Sequence, residues 1–160
     1  SMFPTVEALS ADDLIKLRER EDVVVIDVRH PDERAVSHIP GSITIDDLKK
    51  DETRNVVCYC TVGRRSGHVA TQLSEKMPGK VFNSEGILAY SHHPMAKACD
   101  ENDGDQKRRR HGLVKPDGSP ASNVHAFAGP WTKFLNNRFE PVTYGPLGII
   151  RAIYSFKTKF

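Results

Sequence analysis

The residues best suited to chemistry lie in one stretch, residues 56–67, with the sequence VVCYCTVGRRSG. In this stretch Cys60 is followed closely by Gly63, Arg64 and Arg65. A free cysteine has a pKa of about 8.5, so only a few per cent is the nucleophilic thiolate near neutral pH. Arginine neighbours, loop N–H groups and a helix N-terminus all stabilise the charged form. The spacing therefore predicts that Cys60 is a catalytic nucleophile acting on an anionic substrate.

A strand and a helix must position this cysteine. Residues 56–59 are short, β-branched and aromatic, which predicts a buried strand of a parallel sheet. Val69, Leu73 and Met77 recur on one face of a helix predicted over 65–77. A strand-to-helix turn directs N–H groups at whatever it encloses and favours an anion. The predicted substrate-binding residues are those of the turn: Thr61, Val62, Gly63, Arg64 and Arg65.

The elements before this turn predict a layered α/β domain. Ser10 and Asp13 approximate a capping box at the start of a helix that ends near residue 21. Residues 23–26 are apolar without alternation, as in a central parallel strand. We predict four or five strands in a mostly parallel sheet flanked by helices. The remaining strands are predicted at 3–6, after the Pro40-Gly41 turn within 37–45, and at 80–83.

Two further segments follow this domain, which we place at residues 3–96. Residues 97–112 are rich in charge, including the basic run 107–110, and predict a solvated, flexible loop. Residues 113–160 regain apolar content and predict a C-terminal extension that packs on the domain. Within it Trp131 and Phe134 are predicted to be core residues, and 149–156 fits either a helix or a strand.

Composition excludes several classes of protein. The chain has 160 residues and a net charge of +2 on 44 charged residues, which does not indicate a nucleic-acid-binding protein. No apolar run approaches the ~20 residues that span a bilayer, so no membrane partner is predicted. Three unevenly spaced cysteines favour a reducing compartment, and we predict the cytoplasm. Ser1-Met2 resembles a cloning remnant, so organelle targeting stays open.

No metal site is predicted. The cysteines and histidines lack the paired spacing of structural zinc sites. Cys99 is interpreted as an incidental thiol, with a resolving role for it or for Cys58 left open. The residues considered as ligands are Cys58, Cys60, His68, His92, His93, Cys99 and His111.

Three motifs in order resemble a single-domain rhodanese over residues 10–94. The loop pattern C-x-x-G-x-R-S is matched at 60–66, with Cys60 first. The strand-end signature D-V-R with a nearby acid is matched by Asp27, Arg29 and Glu33. The signature H-I-P-G-[AS] is matched at 38–42. The resemblance implies a rhodanese-like fold, with Asp27, Arg29 and Glu33 as structural support under the loop.

The resemblance also implies a sulfurtransferase reaction without a cofactor. In this family the active cysteine takes sulfur from a small anionic donor such as thiosulfate and becomes a persulfide. It then passes the sulfur to a thiol, cyanide or protein acceptor. By similarity this cysteine is Cys60, and Arg64 or Arg65 would orient the donor's sulfonate.

Two alternatives remain at this point. Cys58 and Arg64 form C-x5-R, the signature of the cysteine phosphatases and arsenate reductases that share this fold. Their loop of seven residues suits a tetrahedral oxyanion, whereas six residues suit a sulfur atom. The second alternative is a non-catalytic redox-sensing or protein-binding module that kept the fold.

Overall fold

The computed structural model describes residues 2–20, 22–97 and 105–159 and divides the chain into two units. The sheet unit is Ser1–Val28 with Gly41–Tyr90, and the tail unit is Arg29–Pro40 with Ser91–Phe160. The helices are α1 Ala11–Arg20, α2 Pro31–Val36, α3 Arg64–Ser74, α4 Ile87–Tyr90, α5 Gln106–His111 and α6 Pro146–Lys159. The strands are β1 Glu7–Leu9, β2 Val24–Asp27, β3 Val56–Tyr59, β4 Val81–Ser84, β5 Asn123–His125 and β6 Glu140–Val142. The predicted boundaries at residues 96 and 112 stay predictions.

The sheet unit is built on a parallel sheet with the strand order β1-β4-β3-β2. Strands β2 and β3 are buried along their whole length, as their uninterrupted apolar runs predict. Helix α3 packs on β3 and β4, and α1 packs against β1 and α4. The predicted α/β class with a parallel sheet flanked by helices is confirmed.

Helix α1 begins as the sequence predicts. The Ser10 hydroxyl accepts a hydrogen bond from the Asp13 N–H at 3.1 Å and donates to the Asp13 carboxylate at 2.6 Å. Leu14 and Ile15 then lie in the core. The cap fixes where the helix starts, and the apolar stripe fixes which face is buried.

Two predicted strands differ from the structure. The strand expected after Pro40-Gly41 is a single parallel bridge, in which Ile43 exchanges two hydrogen bonds of 2.9 Å with the backbone of β2. A 3-10 helix, Ile45–Asp47, follows at once, because the Asp47 carboxylate caps Thr44. The edge strand expected at 3–6 is instead β1 at Glu7–Leu9. Local capping competes with strand pairing in the first of these segments, and residues 3–6 form a turn in which the Val6 N–H donates to the Phe3 carbonyl at 3.2 Å.

The tail unit contains secondary structure where the sequence predicted a loop. Within 97–112, the described part includes α5, whose start is capped by Asp105, and residues 98–104 lie outside the description. His111 at the end of α5 is fully buried, which anchors this charged segment. Strands β5 and β6 pair in parallel, and α2 packs against β5. The alternative left open for residues 149–156 resolves as helix α6.

Two aromatic residues of the tail unit are not in its core. Trp131 and Phe134 are 38% and 50% exposed and contact each other with ring centroids 5.8 Å apart. The prediction that they are core residues was therefore wrong. No helix within the described residues is long and apolar enough to cross a membrane.

Candidate active site

Strand β3 delivers Cys60 to the carboxyl edge of the sheet. The last residue of the strand, Tyr59, is held by a hydrogen bond from the Val28 N–H to its carbonyl at 3.1 Å. Cys60 comes next and is only 1% exposed. Its own carbonyl accepts the Ile87 N–H at 2.9 Å. The thiol therefore starts from a backbone position fixed on both sides.

The turn of residues 60–65 leads into α3 through Gly63, and its last two residues are the first two of the helix. Gly63 has φ 79°, a left-handed conformation that favours glycine, and it occupies the N-cap position. A Cβ at this position would also lie 3.0 Å from the Ser84 carbonyl oxygen. The first N–H groups of α3 have no acceptor within the helix, and the helix dipole adds positive potential there. The turn is therefore suited to hold an anion.

The two predicted arginines differ in their surroundings. Arg65 is partly buried and donates from Nη2 to the Thr61 hydroxyl at 2.8 Å, which ties the two ends of the turn together. Arg64 is exposed and borders a cavity of about 340 Å³. This leaves Arg64 as the cation suited to meet a ligand. The other residues lining the cavity are Met2, Phe3, Ala8, Val62, Gly63, Asn83 and Glu85.

Asn83 supports the turn and was not predicted as a site residue. Its side-chain amide donates to the Gly63 carbonyl at 3.0 Å and accepts from the Ser66 hydroxyl at 2.7 Å. Asn83 is the β4 partner of Cys58 in the sheet register. In the sequence, Asn83 is only a polar residue at the end of the predicted strand 80–83. The sequence does not show which strand lies beside it.

Gly86 supports the other side of the turn. It has φ 103°, and a Cβ there would lie 2.5 Å from the Thr61 carbonyl oxygen. That carbonyl accepts the Leu88 N–H at 3.2 Å. The start of α4 thus lies directly against the turn, and only glycine fits at this approach.

Cys58 lies in a different environment from Cys60. It is fully buried in the middle of β3. Burial raises the pKa of the Cys58 thiol to about 12, and the neighbouring Cys60 thiol adds to the rise. The neutral form of Cys58 is therefore favoured throughout the physiological pH range.

This environment predicts that Cys58 resists alkylation in the native protein. At pH 8 a thiol of pKa about 12 is thiolate in roughly one molecule in ten thousand. Iodoacetamide at pH 8 should leave Cys58 unmodified, whereas the same reagent in denaturant should modify it. Peptide mass spectrometry measures both. Equal rates in the native and denatured protein would contradict the buried assignment.

The three predicted support residues are all buried. In the sheet unit, Asp27 accepts a hydrogen bond of 2.5 Å from the Tyr59 hydroxyl, which also lies 3.2 Å from Ser42 Oγ. In the tail unit, Arg29 donates to the Ser37 carbonyl at 2.7 Å, and Glu33 accepts the His30 N–H at 3.1 Å in a capping box. These contacts fit a supporting role, which stays a prediction.

Comparison with known families decides the assignment. The model of the family described as "Rhodanese-like domain" matches residues 10–90. The chain belongs to this family. The match spans three of the four strands of the sheet, β2, β3 and β4, and it includes the turn from Cys60 to Arg65.

Two curated relatives of the rhodanese-like domain carry sulfurtransferase names. A "Sulfurtransferase" of Allochromatium vinosum is 34% identical over 88 residues, which are 49% of this chain and 80% of the relative. The "Thiosulfate sulfurtransferase GlpE" of Pseudoalteromonas translucida is 28% identical over 79 residues, 45% of this chain and 75% of the relative. Both of these relatives named as sulfurtransferases are thus similar to the rhodanese-like part of this chain.

Solved structures also align with parts of the chain. A rhodanese-like domain protein from Staphylococcus aureus aligns with a TM-score of 0.47 and 22% identity, over 56% of this chain and 95% of that one. A thiosulfate sulfurtransferase from Pseudomonas aeruginosa aligns with a TM-score of 0.49 and 20% identity, over 84% of this chain and 24% of that one.

Proposed function

We propose that the protein is a sulfurtransferase that carries sulfane sulfur as a persulfide on Cys60. The observation that carries this proposal is the position of Cys60 as the first residue of the six-residue turn 60–65, whose last two residues form the N-terminus of α3. A thiolate here has a preorganised positive environment, which is what an anionic sulfur intermediate requires. The names of the curated relatives support the same reaction class.

In the first half-reaction the Cys60 thiolate attacks the outer sulfur of thiosulfate. The sulfur–sulfur bond of the donor breaks, sulfite leaves with the electron pair, and Cys60 becomes a persulfide. In the second half-reaction a nucleophile such as cyanide or a thiolate attacks the terminal sulfur, and the Cys60 thiolate leaves. No net redox change of the enzyme and no cofactor is needed.

Residues of the turn have separate roles in this proposal. The N–H groups of Thr61 to Arg65 would stabilise the sulfur anion. The exposed guanidinium of Arg64 would hold the sulfonate of the donor, because its fork of N–H donors matches an oxyanion. Arg65 would keep the turn closed through Thr61.

The first alternative is a C-x5-R phosphatase or arsenate reductase using Cys58. Its nucleophile would lie inside a buried strand, with a thiol whose raised pKa opposes the thiolate. The position of Cys58 therefore favours the sulfurtransferase. The second alternative is a non-catalytic redox-sensing or binding module with the same fold.

The test is to locate transferred sulfur by mass spectrometry. The reduced protein is incubated with thiosulfate, freed of excess reagent and digested without reductant. We expect the mass of one added sulfur atom on the peptide of residues 55–64, removed by cyanide, and its absence in Cys60→Ala but not in Cys58→Ala. Sulfur retained in Cys60→Ala and lost in Cys58→Ala would refute the assignment. No added sulfur on the intact chain would favour the binding module.

Arg64→Gln is expected to raise the KM for thiosulfate about tenfold with a smaller change in kcat, because the lost contact holds the donor in both ground and transition states. Steady-state kinetics with cyanide as acceptor measures both constants. Arg20→Gln is the matched control, since it removes an exposed arginine at the far end of α1. An unchanged KM in Arg64→Gln would remove Arg64 from the donor site.

A further inference from the structure

Helix α6 presents apolar side chains on two faces. Ala152 is buried, and Ile149 and Phe156 are partly buried, so one face of the helix is covered. The second face is exposed along most of the helix. Its side chains are Leu147 at 83%, Ile150 at 64%, Ile153 at 44% and Tyr154 at 70% exposure.

The exposed apolar side chains form a continuous stripe. Leu147, Ile150 and Tyr154 follow the i, i+3, i+7 spacing of one helix face, and Ile153 lies beside them. Arg151 of this helix also forms an ion pair with Asp32 of α2. A helix that is covered on one face and leaves a stripe of large apolar side chains exposed on another is typical of an interaction surface.

The charged residues of α6 itself are all basic. Helix α6 has no acidic residue, and Lys157 and Lys159 occupy its last turn. Residues 105–160 contain ten Lys and Arg against three Asp and Glu, a net charge of +7. Since the whole chain has a net charge of +2, residues 1–104 have a net charge of −5. The near-neutral total therefore conceals a strongly basic C-terminal segment.

We propose that the exposed stripe of α6 docks onto an anionic membrane surface. The helix would lie in the plane of the interface, with its aliphatic side chains among the lipid headgroups and Lys157 near anionic lipid. This binding is peripheral and independent of the proposed sulfur transfer. It replaces, for this surface, the prediction that the protein has no membrane partner.

Charge and side-chain chemistry favour a membrane over other occupants. A second copy would bring another segment of net charge +7 against the first, which repels at close range. A nucleic acid would use the cations but would leave the aliphatic stripe without a contact. An anionic lipid surface accepts both the stripe and the cations.

The experiment is vesicle co-sedimentation of the full chain. The vesicles are phosphatidylcholine alone or phosphatidylcholine with about 30% phosphatidylglycerol. We expect binding to the anionic vesicles only, weakened by salt within the range where surface charges are screened. The double variant Leu147→Gln/Ile150→Gln should weaken partitioning about tenfold or more, and Lys157→Gln about fivefold.

Matched controls separate this surface from general effects. Lys50→Gln removes an exposed lysine of the sheet unit, and Met2→Gln removes a side chain that is 75% exposed outside α6. Neither should change partitioning, and circular dichroism should show that every variant stays folded. Equal binding to neutral vesicles, or none to anionic ones, would overturn the proposal. So would vesicle binding that survives the double variant, or an oligomer of the free protein that the double variant dissolves.

Discussion

Cys60→Ser is expected to lower kcat/KM for sulfur transfer from thiosulfate by about 1000-fold or more. The serine hydroxyl is un-ionised near neutral pH and forms no persulfide, so both half-reactions of the proposed mechanism are lost. The shape of the turn should persist, because Cys60 is buried and its backbone bonds do not involve the thiol. Thiocyanate formation from thiosulfate and cyanide measures the effect.

Cys58→Ala is the control for this variant. It removes the other described cysteine, which lies in β3 two residues before Cys60, and leaves Cys60 in place. Its expected cost is a loss of stability of about 1–2 kcal/mol from the small cavity, with kcat/KM kept within about threefold. The opposite pattern, an active Cys60→Ser and an inactive Cys58→Ala, would transfer the chemistry to the C-x5-R loop.

The sequence predicted the central part of the fold well because its signals were local and mutually consistent. The uninterrupted apolar runs of β2 and β3 can only be buried on both faces, and Ser10 with Asp13 sets a helix start. The turn was predictable for the same reason. Gly63 lies between a strand pattern and a helix pattern, so it was the residue expected to adopt the left-handed conformation of the turn.

Other features depend on partners distant in the sequence. Ile43 pairs with β2 at one residue only. The Asp47 cap that follows it cannot be predicted from hydrophobic periodicity. Asn83 and Gly86 reach the turn only because β4 lies next to β3 in the sheet. The spacing of residues along the chain does not show that β4 and β3 are neighbours.

Burial of apolar residues was the least predictable property. The rule that buried positions are apolar does not hold in reverse, since much of any protein surface is apolar. Trp131 and Phe134 are examples: their large apolar side chains suggested core positions, but both are exposed. Conversely, His111 ends a run of charged residues and is fully buried.

Gly86→Ala is expected to destabilise the protein by about 3 kcal/mol and to reduce sulfur transfer at least about tenfold. Part of the cost is the φ of 103°, which an L-residue adopts at about 1–3 kcal/mol. The rest comes from a Cβ placed 2.5 Å from the Thr61 carbonyl oxygen, which forces the turn or the start of α4 to move. Because shifts of about 1 Å in a reacting group can cost about 100-fold, the turn should lose activity as well as stability.

Gly41→Ala separates backbone strain from the clash with the turn. Gly41 has φ 71° in the same sheet unit, and a Cβ there has no atom within 4 Å. It should therefore cost only about 1–2 kcal/mol and leave kcat/KM unchanged. Denaturant unfolding gives the two stabilities, and thiocyanate formation well below the unfolding transition gives the two activities.

If Gly86→Ala and Gly41→Ala lose equal stability and both keep full activity, contact between residue 86 and Thr61 does not shape the turn. A selective loss in Gly86→Ala would mean that β4 and α4, and not the C-x-x-G-x-R-S loop alone, set the geometry around Cys60.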